Sequence, residues 1–107
     1  MSGKKDDGGK SPVVAGCMGY FPRALKYVAE VSRFGKEKYK VEFSDKNWER
    51  VANGLERYTD ALGRHLVDEL AGESVAGDSG LLHAGHLAWN ALARLELMLR
   101  DHPLGEK

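Results

Sequence analysis

The sequence predicts an all-α domain, and three observations carry that prediction. Apolar residues recur at three- and four-residue spacing over three long stretches. Pro22, Gly72 and Pro103 stand at the ends of those stretches, where helices start and stop. One run alone, Val41-Glu42-Phe43, reads as extended, and it has no obvious second run to pair with. The expected architecture is a small bundle of three main helices plus one short helix, preceded by a flexible glycine-rich tail.

Residues 1–19 hold many of the glycines and few large apolar side chains. They cannot offset the entropy of being ordered by themselves, so they are expected to be a tail unless a ligand or partner fixes them. Residues 20–107 form the single α-helical domain. Pro22 suits the first turn of a helix over 22–39, in which Leu25, Val28, Ser32 and Gly35 follow one spacing and Ala24, Tyr27, Val31 and Phe34 the neighbouring one. Gly35 costs about 1 kcal/mol relative to Ala inside a helix, so close packing or a backbone contact is expected there. Ser44 or Asp45 offers an oxygen to cap a short helix through Trp48, and Asn53-Gly54 breaks or bends it. The next helix runs from Leu55 to about Ala71, with Gly72 in the left-handed C-terminal position. After a polar loop over 73–80, Asp78 or Ser79 is expected to cap a last helix. That helix carries Leu81, Ala84, Ala88, Leu92, Leu95 and Leu99 on one stripe.

Composition narrows the function. At 107 residues the chain is one domain, able to bury roughly 60–68% of its unfolded surface. Its formal net charge is zero, so no global field selects a nucleic acid polymer or an anionic membrane. No apolar run approaches the roughly 18 residues of a membrane span. The single Cys17 and the absence of an apolar signal core in the first residues place the chain in the cytoplasm. Amphipathic helices in a chain this small bury their stripes poorly alone, which points to a homo-oligomer.

The polar residues concentrate between Arg64 and Asn90, a segment holding three of the four histidines. His83, His86 and Asn90 are spaced i, i+3 and i+7 and share one flank of the last helix. Two imidazoles on one flank can begin a metal site, with Asp68, Glu69, Glu73 and Asp78 nearby as carboxylate suppliers. They can equally be hydrogen-bonded residues between helices, and spacing alone favours that. Arg64 with Asp68 reads as a surface ion pair. His65 falls on the stripe of Leu62 and Glu69, so it needs partners, and the His83/His86 flank can provide them. On the first helix Glu30 and Glu37 lie two turns apart among Lys26, Arg33, Lys36 and Lys38, a pattern that fits a solvated face better than a magnesium site. Trp48, Tyr39 and Phe43 offer aromatic faces for a base, although core packing is their commoner use. The Lys4 to Lys10 segment lacks P-loop spacing.

The order of the pieces is more specific than any one of them. Asp7-Gly8-Gly9-Lys10, Phe21-Pro22-x-Ala24-Leu25, Phe34-Gly35 with Glu37-Lys38-Tyr39, and Asn47-Trp48 come first. Arg57-Tyr58, Asp60-Ala61-Leu62, Arg64-His65-Leu66, Gly72-Glu73 and Asp78-Ser79-Gly80-Leu81-x-His83-x-x-His86 with Trp89-Asn90 follow. Together they resemble the phage family named for dATP/dGTP diphosphohydrolase, related to the all-α nucleotide pyrophosphatases typified by MazG. The resemblance implies a helical, commonly oligomeric domain that splits a purine deoxynucleoside triphosphate into monophosphate and pyrophosphate with Mg2+ or Mn2+, in the host cytoplasm if phage-encoded. MazG-type enzymes carry Glu-x-x-Glu and Glu-x-x-Asp on successive helices. Here Arg33 follows Glu30 at the matching offset and the second helix offers His65, Asp68 and Glu69, so that cage does not transfer.

The positions that match imply the following roles. Glu37, Asp78, His83 and His86 supply metal ligands; Lys10, Lys38 and Arg64 hold phosphates, Trp48 stacks the base and Asn90 contacts substrate; His65 or Glu73 is the general base. Two other functions stay open: a binder that sequesters a nucleotide or nucleotide-derived signal without turnover, and a structural subunit whose polar cluster sets helix register.

Overall fold

The computed structural model describes residues 3–101, and it is all-α among them. Helix α1 spans Pro22–Tyr39, α2 spans Gly54–Leu70 and α3 spans His83–Arg100. Pro22 opens α1 as expected, and Lys40 closes it in the left-handed conformation, its N–H returning to the carbonyl of Glu37. The short helix through Trp48 is instead two 3-10 turns, Phe43–Asp45 and Asn47–Arg50, divided by left-handed Lys46. Asp45 caps the first, accepting from the Glu42 N–H at 2.9 Å. Asn53 is left-handed at φ 56°, which is why α2 starts afresh at Gly54. Gly72 ends α2 with φ 100°, as its position required. In the N-terminal segment, residues 14–18 add an exposed π-helical turn.

Two sequence expectations about α3 are corrected. Neither Asp78 nor Ser79 caps it: the N-cap is Leu82, without a side-chain acceptor. Residues 73–82 form a tight loop instead, closed by an antiparallel bridge between Val75 and Leu82, with the His83 N–H on the Ser74 carbonyl at 2.9 Å. The Leu82 N–H donates to the Tyr27 hydroxyl at 2.7 Å, tying the loop to α1. The leucine stripe, moreover, is largely on the surface, with Leu92 and Leu95 about half exposed at 48% and 49%. What α3 buries is the opposite flank: His83, Gly85, His86, Asn90 and Ala93.

A close helix approach accompanies that choice of flank. Both α1 and α2 pack on α3, and Gly85 lets α1 come close, because a Cβ there would lie 2.7 Å from Cδ2 and Cε2 of Tyr27. Gly35 behaves differently from expectation. A Cβ at Gly35 would meet nothing within 4 Å; the residue lies in the wall of a cleft rather than in a packed contact. The buried apolar core among the described residues is small, made of Val31, Ala76 and Ala93. No described helix is long and apolar enough to cross a membrane. The end of the last helix expected before Pro103 falls at Arg100, and Pro103 itself lies outside the described residues.

The two helical glycines therefore separate in a substitution test. Gly85→Ala is expected to destabilise by about 1–3 kcal/mol through overpacking against Tyr27. Gly35→Ala is expected to stabilise by up to about 1 kcal/mol through helix propensity. Urea midpoints of the two variants check both signs.

Candidate functional site

The site is assembled where the inner flank of α3 meets α2. His83 and His86 reach inward from the first turn of α3, and His65 comes from α2. His65 Nδ1 and His83 Nδ1 are 2.8 Å apart, a hydrogen-bond distance at which one proton lies between the rings. The His65 ring also stacks on His86, with centroids 4.6 Å apart and an 8° interplanar angle. His86 Nε2 meets the Ser79 hydroxyl at 2.7 Å, and Phe34 of α1 packs edge-on against the same ring. Asn90 donates to the His86 carbonyl at 2.8 Å, so its buried amide braces the helix turn that presents His86. The partners that His65 needed are thus the two histidines on the α3 flank.

A cleft of about 760 Å³ opens beside this cluster, between α1, the 3-10 turns and α2. Its volume is ordinary for a small-molecule site. His65, His86, Asn90, Lys38, Trp48 and Arg64, all named from the sequence, line it together with Asp78. The wall also carries Lys36, Lys46 and Arg57, cations to which the sequence assigned no ligand role. Trp89, part of the ordered pattern but without a role assigned from it, sits one turn after His86. It donates to the Ser32 hydroxyl at 2.9 Å and packs edge-on against Trp48 and Tyr58. The Tyr58 hydroxyl donates to the Trp48 carbonyl, holding the 3-10 turn on α2. Arg100 reaches back from the far end of α3 to Glu49 at 2.7 Å and lies over the Trp48 ring. Trp48 is therefore fixed in place at the cleft edge.

The remaining sequence candidates fall elsewhere. Glu37 is exposed on α1 and outside the cleft wall, and Glu30 pairs with Arg33 at 3.2 Å, as a solvated face does. Lys10 is exposed in the N-terminal segment and is not part of the wall. Asp78 faces Lys38 at 3.8 Å. The expected Arg64–Asp68 ion pair does not form, because Arg64 turns to the cleft while Asp68 goes to the opposite side with Glu73.

There, ligand atoms of Asp68, Glu73 and His83 lie within 4.8 Å of one another, the one such group among the described residues. Glu37, Asp78 and His86 do not join it. The backbone builds this pairing of carboxylates: after Gly72 the Glu73 N–H returns to the Asp68 carbonyl at 3.0 Å. His83 is 3% exposed, and its Nε2 has no hydrogen-bond partner. Glu73 Oε1 is 3.3 Å away but off the axis a hydrogen bond needs.

Burial is the main cause that holds both His65 and His86 below the ordinary histidine value of 6.5. The rings of His86, His83 and the cation Arg64 push His65 further down, while Asp78 opposes. For His86, Asp78 opposes and His83 and Lys38 add to the lowering. The folded protein thus keeps these rings neutral where an unfolded chain would bind protons.

An all-α fold with a cationic, aromatic and imidazole-lined cleft defines a small helical domain suited to an anionic aromatic ligand. The chain belongs to the family described as dATP/dGTP diphosphohydrolase, N-terminal, whose profile matches residues 2–106. A curated relative, the dATP/dGTP diphosphohydrolase of Salmonella phage PMBT28, is 30% identical over 106 residues, covering 99% of this chain. The chain spans 33% of that relative's length. No solved structure matches it.

Because unfolding takes up protons at the depressed histidines, their contribution to stability is complete above pH 6.5 and is lost as pH falls below it through the folded values. Melting temperature is expected to drop between about pH 7.5 and about pH 5.5, and His65→Gln should flatten the dependence. An unchanged slope in that variant would remove His65 from the account.

Proposed function

We propose that the cleft binds a purine deoxynucleoside triphosphate and that the chain takes part in its hydrolysis to monophosphate and pyrophosphate. The observation that carries this reading is the convergence of Lys38, Arg64, Trp48 and His65, from separate segments, on one cleft of nucleotide size. Lys38 and Arg64 hold the phosphates, with Lys36, Lys46 and Arg57 adding field around them. Trp48 offers a ring face at the edge of the cleft for the base. Asn90 supports His86 from below, and its amide adds a polar group to the wall.

Water must be deprotonated as it attacks the α-phosphorus. His65 is the base on this reading, since Glu73 lies outside the cleft wall; its Nε2 takes the proton while Nδ1 faces His83. A divalent ion, Mg2+ or Mn2+ by family resemblance, supplies charge neutralisation on the phosphates and a more acidic bound water. Within the wall Asp78 is the carboxylate from the expected ligand set, which fits an ion that arrives largely coordinated by phosphate oxygens and water.

A second reading, binding without turnover, is favoured by one specific observation. Among the described residues the cleft wall contains two carboxylates, Glu42 and Asp78, and Asp78 already faces Lys38. Cations and aromatic faces provide affinity without activating water. This chain matches 33% of that relative's length, so two thirds of the relative lies beyond the matched part.

Incubation with dGTP or dATP and Mg2+, followed by assay of pyrophosphate, separates the two readings. Release of pyrophosphate is the outcome expected; tight binding with intact triphosphate recovered establishes sequestration instead. Arg64→Ala is expected to weaken nucleotide binding about tenfold or more, the loss of one charge-assisted contact. Calorimetry showing wild-type affinity in that variant rejects the cleft as the phosphate site.

A further inference from the structure

The unpartnered buried nitrogen of His83 points to a second function on the side of the histidine pair away from the cleft. We propose that Asp68, Glu73 and His83 form a divalent transition-metal site whose occupancy sets the proton position on His65.

The donor set suits such an ion. One imidazole with two carboxylates is the mixed nitrogen and oxygen environment that Zn2+ and Mn2+ accept, whereas Mg2+ and Ca2+ prefer oxygen alone. His83 is fixed by burial, with Nδ1 held by His65 at 2.8 Å and Nε2 left without a partner. A polar nitrogen in that state costs free energy unless something satisfies it. Asp68 and Glu73 are exposed and able to adjust, and their oxygens and the imidazole nitrogen already lie within 4.8 Å. Ligand atoms about 2.1 Å from a common tetrahedral ion are about 3.4 Å apart, so the exposed carboxylates must rotate inward by about 1 Å or a little more to close the site. Asp68 has no cationic partner among the described residues, and Glu73 meets only His83.

The coupling follows from proton counting. Two neutral rings sharing an Nδ1 to Nδ1 hydrogen bond have one bridging proton and one outer proton. In the empty site the neighbouring Glu73 carboxylate favours the outer proton on His83 Nε2. His65 then owns the bridging proton, and its own Nε2 carries a free lone pair. An ion at His83 Nε2 displaces the proton of that nitrogen to solvent and binds the lone pair left there. The bridging proton passes to His83 Nδ1, and His65 takes one proton from solvent at Nε2. The total is two protons in both states. Loading therefore converts His65 at the cleft wall from a proton acceptor into an N–H donor, suited to a phosphate oxygen. This last effect rests on the nucleotide reading of the cleft; the ion site does not.

The test uses the full chain, stripped with EDTA and then titrated with Mn2+ and Zn2+ by calorimetry. One ion per chain is expected, with a raised melting temperature. His83→Ala removes a buried side chain and risks the fold, so the surface variants Asp68→Asn and Glu73→Gln decide. Each should weaken the ion at least about tenfold, while Glu37→Gln binds as the wild type does. No binding by the wild type, or wild-type affinity in both surface variants, overturns the site, as does loss confined to Glu37→Gln. Long-range 1H–15N spectra of the imidazoles read the second part. With Zn2+, His65 should change to the Nε2–H form, and an unchanged His65 spectrum on a loaded site overturns the coupling. Nucleotide binding measured on the stripped protein resupplied with Mg2+, which prefers an all-oxygen site, tells the two proposals apart, because its absence ends the reading of the cleft without touching the ion titration.

Discussion

The structure depends on the two contacts of His65. Its hydrogen bond to His83 and its stack on His86 join α2 to α3 through aromatic nitrogen rings where a bundle of this size would ordinarily place leucines. Buried polar groups are tolerated only when their partners are present, so each histidine obliges further residues to stay where they are. Ser79 must hold the loop against His86, and Asn90 must brace the turn below it. The cluster acts as a register device for two helices and as the wall of a cleft.

The same arrangement accounts for the modest core. With the histidine flank of α3 turned inward, its leucines face largely outward, and the buried apolar residues among those described are Val31, Ala76 and Ala93. Much of the cohesion comes instead from aromatic and polar anchors. Tyr27 ties the loop to α1, Trp89 ties α3 to α1, and Trp48 with Tyr58 ties the 3-10 turns to α2. Those anchors leave α1 and α2 apart at the connector, and the space between them is the cleft. Cations on α1, on the connector and on α2 then face one volume, which concentrates positive potential in a molecule of zero net charge.

Legibility differed sharply between the parts of the chain. The limits of α1 at Pro22 and of α2 at Gly72 were readable because proline and glycine act on their own backbone dihedrals. The division of the connector into two 3-10 turns was not, because left-handed Lys46 splits it and lysine does not announce that conformation, whereas the break at Asn53 was readable because asparagine enters it more easily. The capping assignment for α3 failed for a related reason. Ser79 has the chemistry of a cap, yet its hydroxyl meets His86 and the Leu81 N–H, a competition settled by a ring seven residues away. Of the residues tied to function by family pattern, Lys38, Trp48, Arg64, His65, Asp78, His86 and Asn90 meet at the cleft. Lys10, Glu37, Glu73 and His83 lie outside its wall.

Helical periodicity, breakers and the ordered pattern from Asp7 to Asn90 were enough to assign the fold class, the family and the segment in which the histidines cluster, since all three rest on local spacing. Which flank of α3 turns inward is a different kind of question. The leucine stripe and the histidine flank both satisfy helical spacing, and the packing of α1 and α2 on α3 selects the second, with Gly85 leaving room for Tyr27. Likewise Asp68 belongs by sequence to Arg64, four residues earlier, and by structure to Glu73 and His83. Spacing along a helix names the neighbours a side chain can have, and the packing of other helices selects among them.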